Sequence, residues 1–188
     1  MTDSLANASK RDPHQNATDM DLLEDPLKFL EADHLRTRTI CGALDRMAEA
    51  EQPSREDIFS VLSFLENELP LLIVDEDADL MRLMRGHIGE DGSLFKLLRD
   101  VAELHADIAF RSRPAIDLLQ ILKQKPRAMT YSEQTCLRDL SKVLRVDMAV
   151  ENARLLPLAK KLLTEDEVAE LRSSMFQRRL SDFRDHRV

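Results

Sequence analysis

Apolar residues recur at three- and four-residue intervals along four long segments of this chain, and Pro, Gly or capping residues stand between the segments. That spacing is the period of one face of an α-helix. No alternating strand pattern longer than a few residues competes with it. Asp25-Pro26 reads as a cap followed by a first-turn proline. It opens a helix whose stripe is Leu27, Leu30, Cys41, Leu44 and Met47 or Ala48. Pro53-Ser54 is a turn and a cap, and the second stripe runs Ile58, Val61, Leu62, Leu65, Leu69, Leu72, Leu80 and Leu83. Pro70 inside it predicts a kink or a local 3₁₀ adjustment. Gly89-Glu90-Asp91-Gly92 turns the chain into a third stripe, Leu94, Leu97, Leu98, Val101 and Ile108, with Pro114 as a bend or an end and LLQILK as its continuation. Gln124–Arg127 is another turn, and Thr130-Tyr131-Ser132-Glu133 fits a capping box. The fourth stripe is Leu137, Leu140, Leu144, Leu155, Leu158 and Leu162. Thr164-Glu165-Asp166-Glu167 is a second capping box, opening a short fifth helix that ends at the basic QRR segment.

Long helices joined by short turns predict an all-α, up-down-up-down four-helix bundle with a short C-terminal fifth helix. Residues 1–23 are polar and aperiodic and read as a flexible tail; the bundle occupies 24–180, and 181–188 is a frayed end. A chain of 188 residues suffices for one domain with one sizeable core. The net charge of −8 without a basic cluster argues against nucleic acid as a partner. No apolar run approaches the roughly 18 residues of a membrane span, and the N-terminus lacks the apolar core of a signal peptide. Cys41 and Cys136 make no disulfide framework, so the expected setting is the reducing cytoplasm.

The stripes have polar gaps. The first passes from Leu30 to His34, Thr37 and Cys41. In the second, spacing from Leu69 runs through Leu72, Glu76, Leu80 and Leu83. The third runs Leu98, Val101, His105, Ile108, and the fourth runs Leu144, Asp147, Glu151, Leu155. In antiparallel helices, residues at equal depth lie symmetrically about the connecting turn. The midpoint of 34 and 76 is 55, beside Pro53-Ser54; that of 76 and 105 is 90.5, inside Gly89–Gly92; that of 105 and 149, the centre of the Asp147/Glu151 pair, is 127, at Pro126-Arg127. His34, Glu76, His105, Asp147 and Glu151 should therefore meet in one layer, within about one turn, or roughly 5 Å of rise. Three carboxylates buried together are costly unless cations accompany them. Carboxylates and imidazoles inside a bundle are a common setting for a pair of transition-metal ions.

These residues sit in stretches that resemble the hemerythrin-like (HHE cation-binding) family: DPLKFLEADHLRTR, FLENELPLLIVDEDADL, LHADI and VENARLLPLAKKLLTEDEVAEL, from about residue 25 to about 179. The resemblance implies a four-helix bundle holding a non-haem di-iron centre that binds or senses oxygen, nitric oxide or iron. It implies ligand positions at His34, Glu76, His105 and Glu151, with the two glutamates bridging. Two positions depart from the family pattern of His: Leu72 on the second helix and Asp147 on the fourth. Leu72 cannot ligate, whereas Asp147 offers an oxygen suited to iron or manganese. An asymmetric centre of one or two ions follows, better furnished near His105 than near His34, with Asp75 or Asp77 as neighbours of the stripe.

Each residue has a plainer reading. His34 and His105 can be hydrogen-bonded core histidines, protonated and paired with the carboxylates in a metal-free network. Glu76, Asp147 and Glu151 can be solvated helix faces. Cys41, Cys136, Met81, Met84 and Met148 read as packing residues. His14, His87 and His186, and the charges of Arg36, Arg38, Arg178, Arg179 and Arg184, read as solvent-exposed. The carboxylate run 75–79 is at most a weak surface cation site. Three functions follow: a metal-binding protein that binds or senses a small ligand; a metal-free regulatory or interaction module; and an oxidase or peroxide-handling enzyme, which requires an open coordination position.

Overall fold

The computed structural model describes residues 17–89 and 92–185. All its regular structure is helical, and no strand occurs among the described residues. Five helices follow a single-turn 3₁₀ segment, Met20–Glu24. Helix α1 is Pro26–Glu49. Helix α2 spans residues 55–85 and α3 is Ser93–Gln124. Helix α4 spans residues 131–162, and α5 is Glu165–Asp185.

The helix starts follow local chemistry. Asp25 accepts from the Lys28 amide ahead of Pro26. Ser54 accepts from the Asp57 amide. Thr130 and Glu133 exchange both capping-box bonds, as do Thr164 and Glu167. Gly92 has φ of 64°, a left-handed conformation that favours glycine, and hands the chain into α3. Of the turn before α3, Glu90 and Asp91 lie outside the described residues. Pro114 neither ends nor divides α3.

Two sequence expectations about the helices are corrected. Around Pro70 the adjustment is a widening, not a 3₁₀ tightening. Phe64–Glu68 is a π-helical turn, closed by the Leu69 amide on the Phe64 carbonyl. Its counterpart before Pro157 is Glu151–Leu155, closed by the Leu156 amide on the Glu151 carbonyl. Proline lacks an amide hydrogen and pushes away the carbonyl four residues back. Those carbonyls, of Glu66 and Ala153, sit inside the widened turns. The fifth helix is also not short: α5 has 21 residues. Within the stretch 1–23 expected as a tail, residues from Met20 belong to a helical turn, Met20–Glu24, that buries Leu23; residues 1–16 lie outside the described residues.

Polar pairs set the helix registers. Between α1 and α2, Arg36 meets Glu68 at 3.0 Å and Arg46 meets Asp57 at 2.5 Å. Between α1 and α4, Lys160 meets Glu31 and Arg145 meets Asp45, both at 2.5 Å. Rising numbers on α1 thus meet falling numbers on both neighbours. The core is two apolar clusters. One gathers Ile40, Leu44, Leu65, Ile108, Leu119, Leu140 and others. The second gathers Leu30, Leu72, Leu80, Met84, Val101, Leu155 and Met175 among others. Where the stripes pass from one cluster to the other, on each of the first four helices, stand the buried polar residues: His34, His105 and Glu151 between the two, Glu76 just inside the second and Asp147 just inside the first.

Candidate metal centre

All five side chains named from the stripes are buried, and the structure brings them together. His34 Nε2 lies 3.2 Å from Glu76 Oε1 and 3.1 Å from Glu151 Oε2. His105 Nε2 lies 3.3 Å from Glu151 Oε1, 3.5 Å from Glu76 Oε2 and 3.6 Å from Asp147 Oδ1. Each glutamate therefore divides its two oxygens between the two imidazoles. Two sets of ligand-capable atoms result: His34, Glu76 and Glu151 in one, and His105, Asp147 and Glu151 in the other, with the atoms of each set within 4.8 Å of one another.

The other imidazole nitrogens are held from outside. His34 Nδ1 lies 3.0 Å from Asn152 Oδ1, an acceptor, so Nδ1 carries the proton of that bond. His105 Nδ1 likewise donates to Asp77 Oδ1 at 2.8 Å. In a neutral imidazole this leaves both Nε2 atoms as lone pairs facing carboxylate oxygens. Acceptors facing acceptors at these distances require a cation between them, either a proton on each ring or a metal ion. Outer acceptors on Nδ1 are also the usual partners of metal-ligating histidines.

The electrostatics follow from that geometry. Burial alone would lower the histidine pKa values, but hydrogen bonds to carboxylates outweigh it. Glu151 and Glu76 hold His34 up to about 11. Asp77 and Glu151 do the same for His105, to about 11. Burial, with the charge of Glu151, pushes Glu76 up to about 7 and Asp147 up to about 8. Glu151, although buried, is held below its ordinary value by hydrogen bonds from His105 and His34. Without metal, the layer thus keeps protons where a metal would put cations.

The residues fit a metal. Asp147 Oδ1 is buried and has no hydrogen-bond partner among the described residues, although it belongs to the second ligand set. Two donors at right angles, each about 2.1 Å from one ion, stand about 3 Å apart, close to the His34 distances to both glutamates. Oxygen-rich donor sets with imidazole suit iron and manganese. Leu72 is buried in the second apolar cluster. Asp75 does not assist the layer; it is fully buried and faces Arg178 and Arg179 of α5.

Several charges expected to be solvated are not. Arg36 and Arg179 are buried, and Arg178 is largely so. The run 75–79 is no open surface site, since Asp75, Glu76 and Asp79 are buried. His87 is half-buried and pairs with Glu167 at 3.0 Å. His14, His186 and the Arg184 side chain lie outside the described residues. Sequence reasoning did not find Asn152 as the partner of His34. Its position directly after Glu151 was the available signal, because helix neighbours flank the same cavity.

A helical bundle whose interior polar layer joins two imidazoles to three carboxylates defines a class, that of bundle proteins with an internal cation site. The model of the hemerythrin HHE cation-binding domain matches residues 25–159, and the chain belongs to that family. Comparison with curated proteins and with solved structures returns no match. No helix among the described residues is long and apolar enough to cross a membrane.

Proposed function

We propose that this protein holds a non-haem iron centre of one or two ions in the layer of an up-down-up-down bundle. There it binds or senses a small ligand such as oxygen, nitric oxide or iron itself. The observation that carries the reading is the orientation of the imidazoles: both fix Nδ1 to an outer acceptor and turn Nε2 toward shared carboxylates. His34 and His105 would each supply one nitrogen. Glu76 and Glu151 would each supply one oxygen to either side, and Asp147 would complete the His105 side. A bound iron pair supplies reversible redox change and affinity for diatomic ligands. The chain's own residues then have three tasks. Glu76 and Glu151 keep their charges between the two halves. Asn152 and Asp77 fix the rings. The apolar clusters above and below keep bulk water from the layer. Leu72 leaves the His34 side one donor poorer, so the two halves differ in affinity. Two free cysteines, one buried, agree with a cytoplasmic setting, and neither nucleic acid nor membrane is part of this reading.

One observation favours a second reading. Protons on His34 and His105 alone pair every buried oxygen of the layer except Asp147 Oδ1. The bundle could then serve metal-free as a regulatory or interaction module. Metal analysis after anaerobic Fe(II) loading, air exposure and desalting separates the two, read together with the optical spectrum. One to two irons per chain with near-ultraviolet charge-transfer absorption supports the centre. No retained iron, with an unchanged melting temperature, establishes the metal-free module. Turnover of peroxide or oxygen by the loaded protein would instead mark an enzyme.

A further inference from the structure

Helix α5 lies beyond the residues matched by the family, yet two of its arginines reach the neighbours of two layer residues. Arg178 pairs through Nη1 with Asp75 and through Nη2 with Asp79 Oδ2 at 2.5 Å. Arg179 Nη2 lies 2.6 Å from Asp75 Oδ2 and 3.8 Å from Asp33 Oδ2. Its guanidinium carbon stands 4.4 Å from the centroid of the Phe29 ring, and Nη1 donates to the Met175 carbonyl. Asp75 immediately precedes Glu76, and Asp33 immediately precedes His34.

The segment so held is itself irregular. Asp75–Leu80 is a third π-helical turn, closed by the Met81 amide on the Glu76 carbonyl. The other two widened turns each have a proline two residues past their end, Pro70 and Pro157. This one has Arg82 there and no proline to require it. A widened turn is less favourable than α-helix and occurs mostly where function or packing demands it. The ion pairs to Asp75 and Asp79, one turn apart on the flank beside Glu76, are the available cause. A fully buried carboxylate needs its cationic partners, so docking of α5 and the shape of this turn are tied together.

We propose that Arg178 and Arg179 are positioning residues for the His34 half of the centre. By clamping Asp75, Asp79 and Asp33 they fix the widened turn that aims Glu76 and the stretch of α1 that aims His34. The C-terminal helix thereby sets how tightly this half holds a divalent transition-metal ion. The His105 half depends on the clamp less, because Asp147 and Glu151 both stand on α4 and the clamped turn reaches this half only through Glu76 and through Asp77, which steadies the ring. The proposal rests on the metal-binding reading above. It also predicts a difference between arginine and lysine. Arg178 spans two carboxylates with its two terminal nitrogens, which a single ammonium cannot do with the same geometry.

The test uses the full chain and Arg178→Lys, Arg179→Lys and the double alanine variant. His87→Ala is the control, because it removes a different contact to α5, with Glu167 at 3.0 Å, from a position outside the widened turn. Hydrogen exchange of the Met81 amide in metal-free protein reports the turn. Mn(II) titration followed by electron paramagnetic resonance reports each half. Arg178→Lys is expected to keep its helix content, to speed Met81 exchange at least about tenfold and to weaken one Mn(II) site at least about tenfold. The other site should weaken less, and the His87→Ala protein should be unchanged. Unchanged exchange in the folded lysine variants overturns the clamp. Faster exchange with wild-type Mn(II) affinities shows that α5 steadies the helix but not the centre, and also overturns it. Equal weakening in His87→Ala reduces the effect to general docking and overturns it as well. Wild-type protein that takes up neither Mn(II) nor Fe(II) removes the metal-binding reading itself. The exchange data then still decide whether the arginines hold the turn.

Discussion

At the scale of single residues, the layer separates donors from the groups that aim them. Glu76 faces both imidazoles, whereas Asp77 touches only the outer nitrogen of His105. Glu76→Ala is therefore expected to lower iron content more than Asp77→Ala, whose cost should be about the 10–100-fold in affinity typical of an outer-shell partner. Equal iron content in both variants by metal analysis would remove Glu76 from the centre. Leu72→His restores a donor on the poorer side and should raise iron toward two per chain. No gain would mean that the packed second cluster leaves the new ring no room. The titrations give a pH prediction. Glu76, held up to about 7, and Asp147, held up to about 8, bind protons more tightly folded than unfolded. Their contribution is full below about pH 4 and is lost as pH rises through 7 to 8. His34 and His105, raised to about 11, contribute fully below about pH 6.5 and lose that contribution progressively as pH rises toward 11. The melting temperature of metal-free protein should fall between pH 5 and 8.5 in thermal melts. Metal affinity should rise over the same range, because binding releases protons. These five positions were legible as gaps in leucine stripes because burial forces a period that a polar residue visibly breaks. Asn152 and Asp77 break no stripe, and nothing in the period marks them.

At the scale of elements, the helix starts were readable because a cap is a local event: a side chain two or three residues from the amide that it satisfies. Thr130→Ala should cost about 1 kcal/mol in denaturant unfolding without altering metal content, since α4 is capped three turns or more before Asp147. The widened turns were not readable in kind. Pro70 announced a disturbance, but whether the chain tightens or widens depends on what its displaced carbonyls meet in the folded bundle. Pro157→Ala tests the consequence. Restoring an amide should let Glu151–Leu155 relax toward α-helix and rotate Glu151 out of its shared position. Iron content should fall while the unfolding midpoint holds or rises. A midpoint that drops with iron unchanged would assign Pro157 to packing alone. The length of α5 was hidden for a different reason. Its buried residues include Leu171, Met175 and Arg179, so one step of an otherwise apolar stripe is a charge, and the period fades where the helix is best anchored.

At the scale of the whole molecule, two apolar clusters lie on either side of one ionic layer. A ligand that binds only the folded state raises stability in proportion to its occupancy. Loading with Fe(II) should raise the melting temperature, and a chelator should return it to the metal-free value, with helix content by circular dichroism unchanged throughout. Leu44→Ala, in the first cluster and fully buried, should cost about 2–5 kcal/mol with or without metal. The halved core also bears on how such a centre can change over time. Each half closes on its own fully buried leucines, so the waist can exchange its polar atoms as long as every buried charge keeps a proton or another cation beside it. A histidine position can become Leu72 by joining a neighbouring half, or Asp147 by staying in the layer. Inheritance of the shape and inheritance of the chemistry are therefore separable, and lineages built on this frame are free to retune, weaken or discard their metal without first having to redesign the protein that carries it.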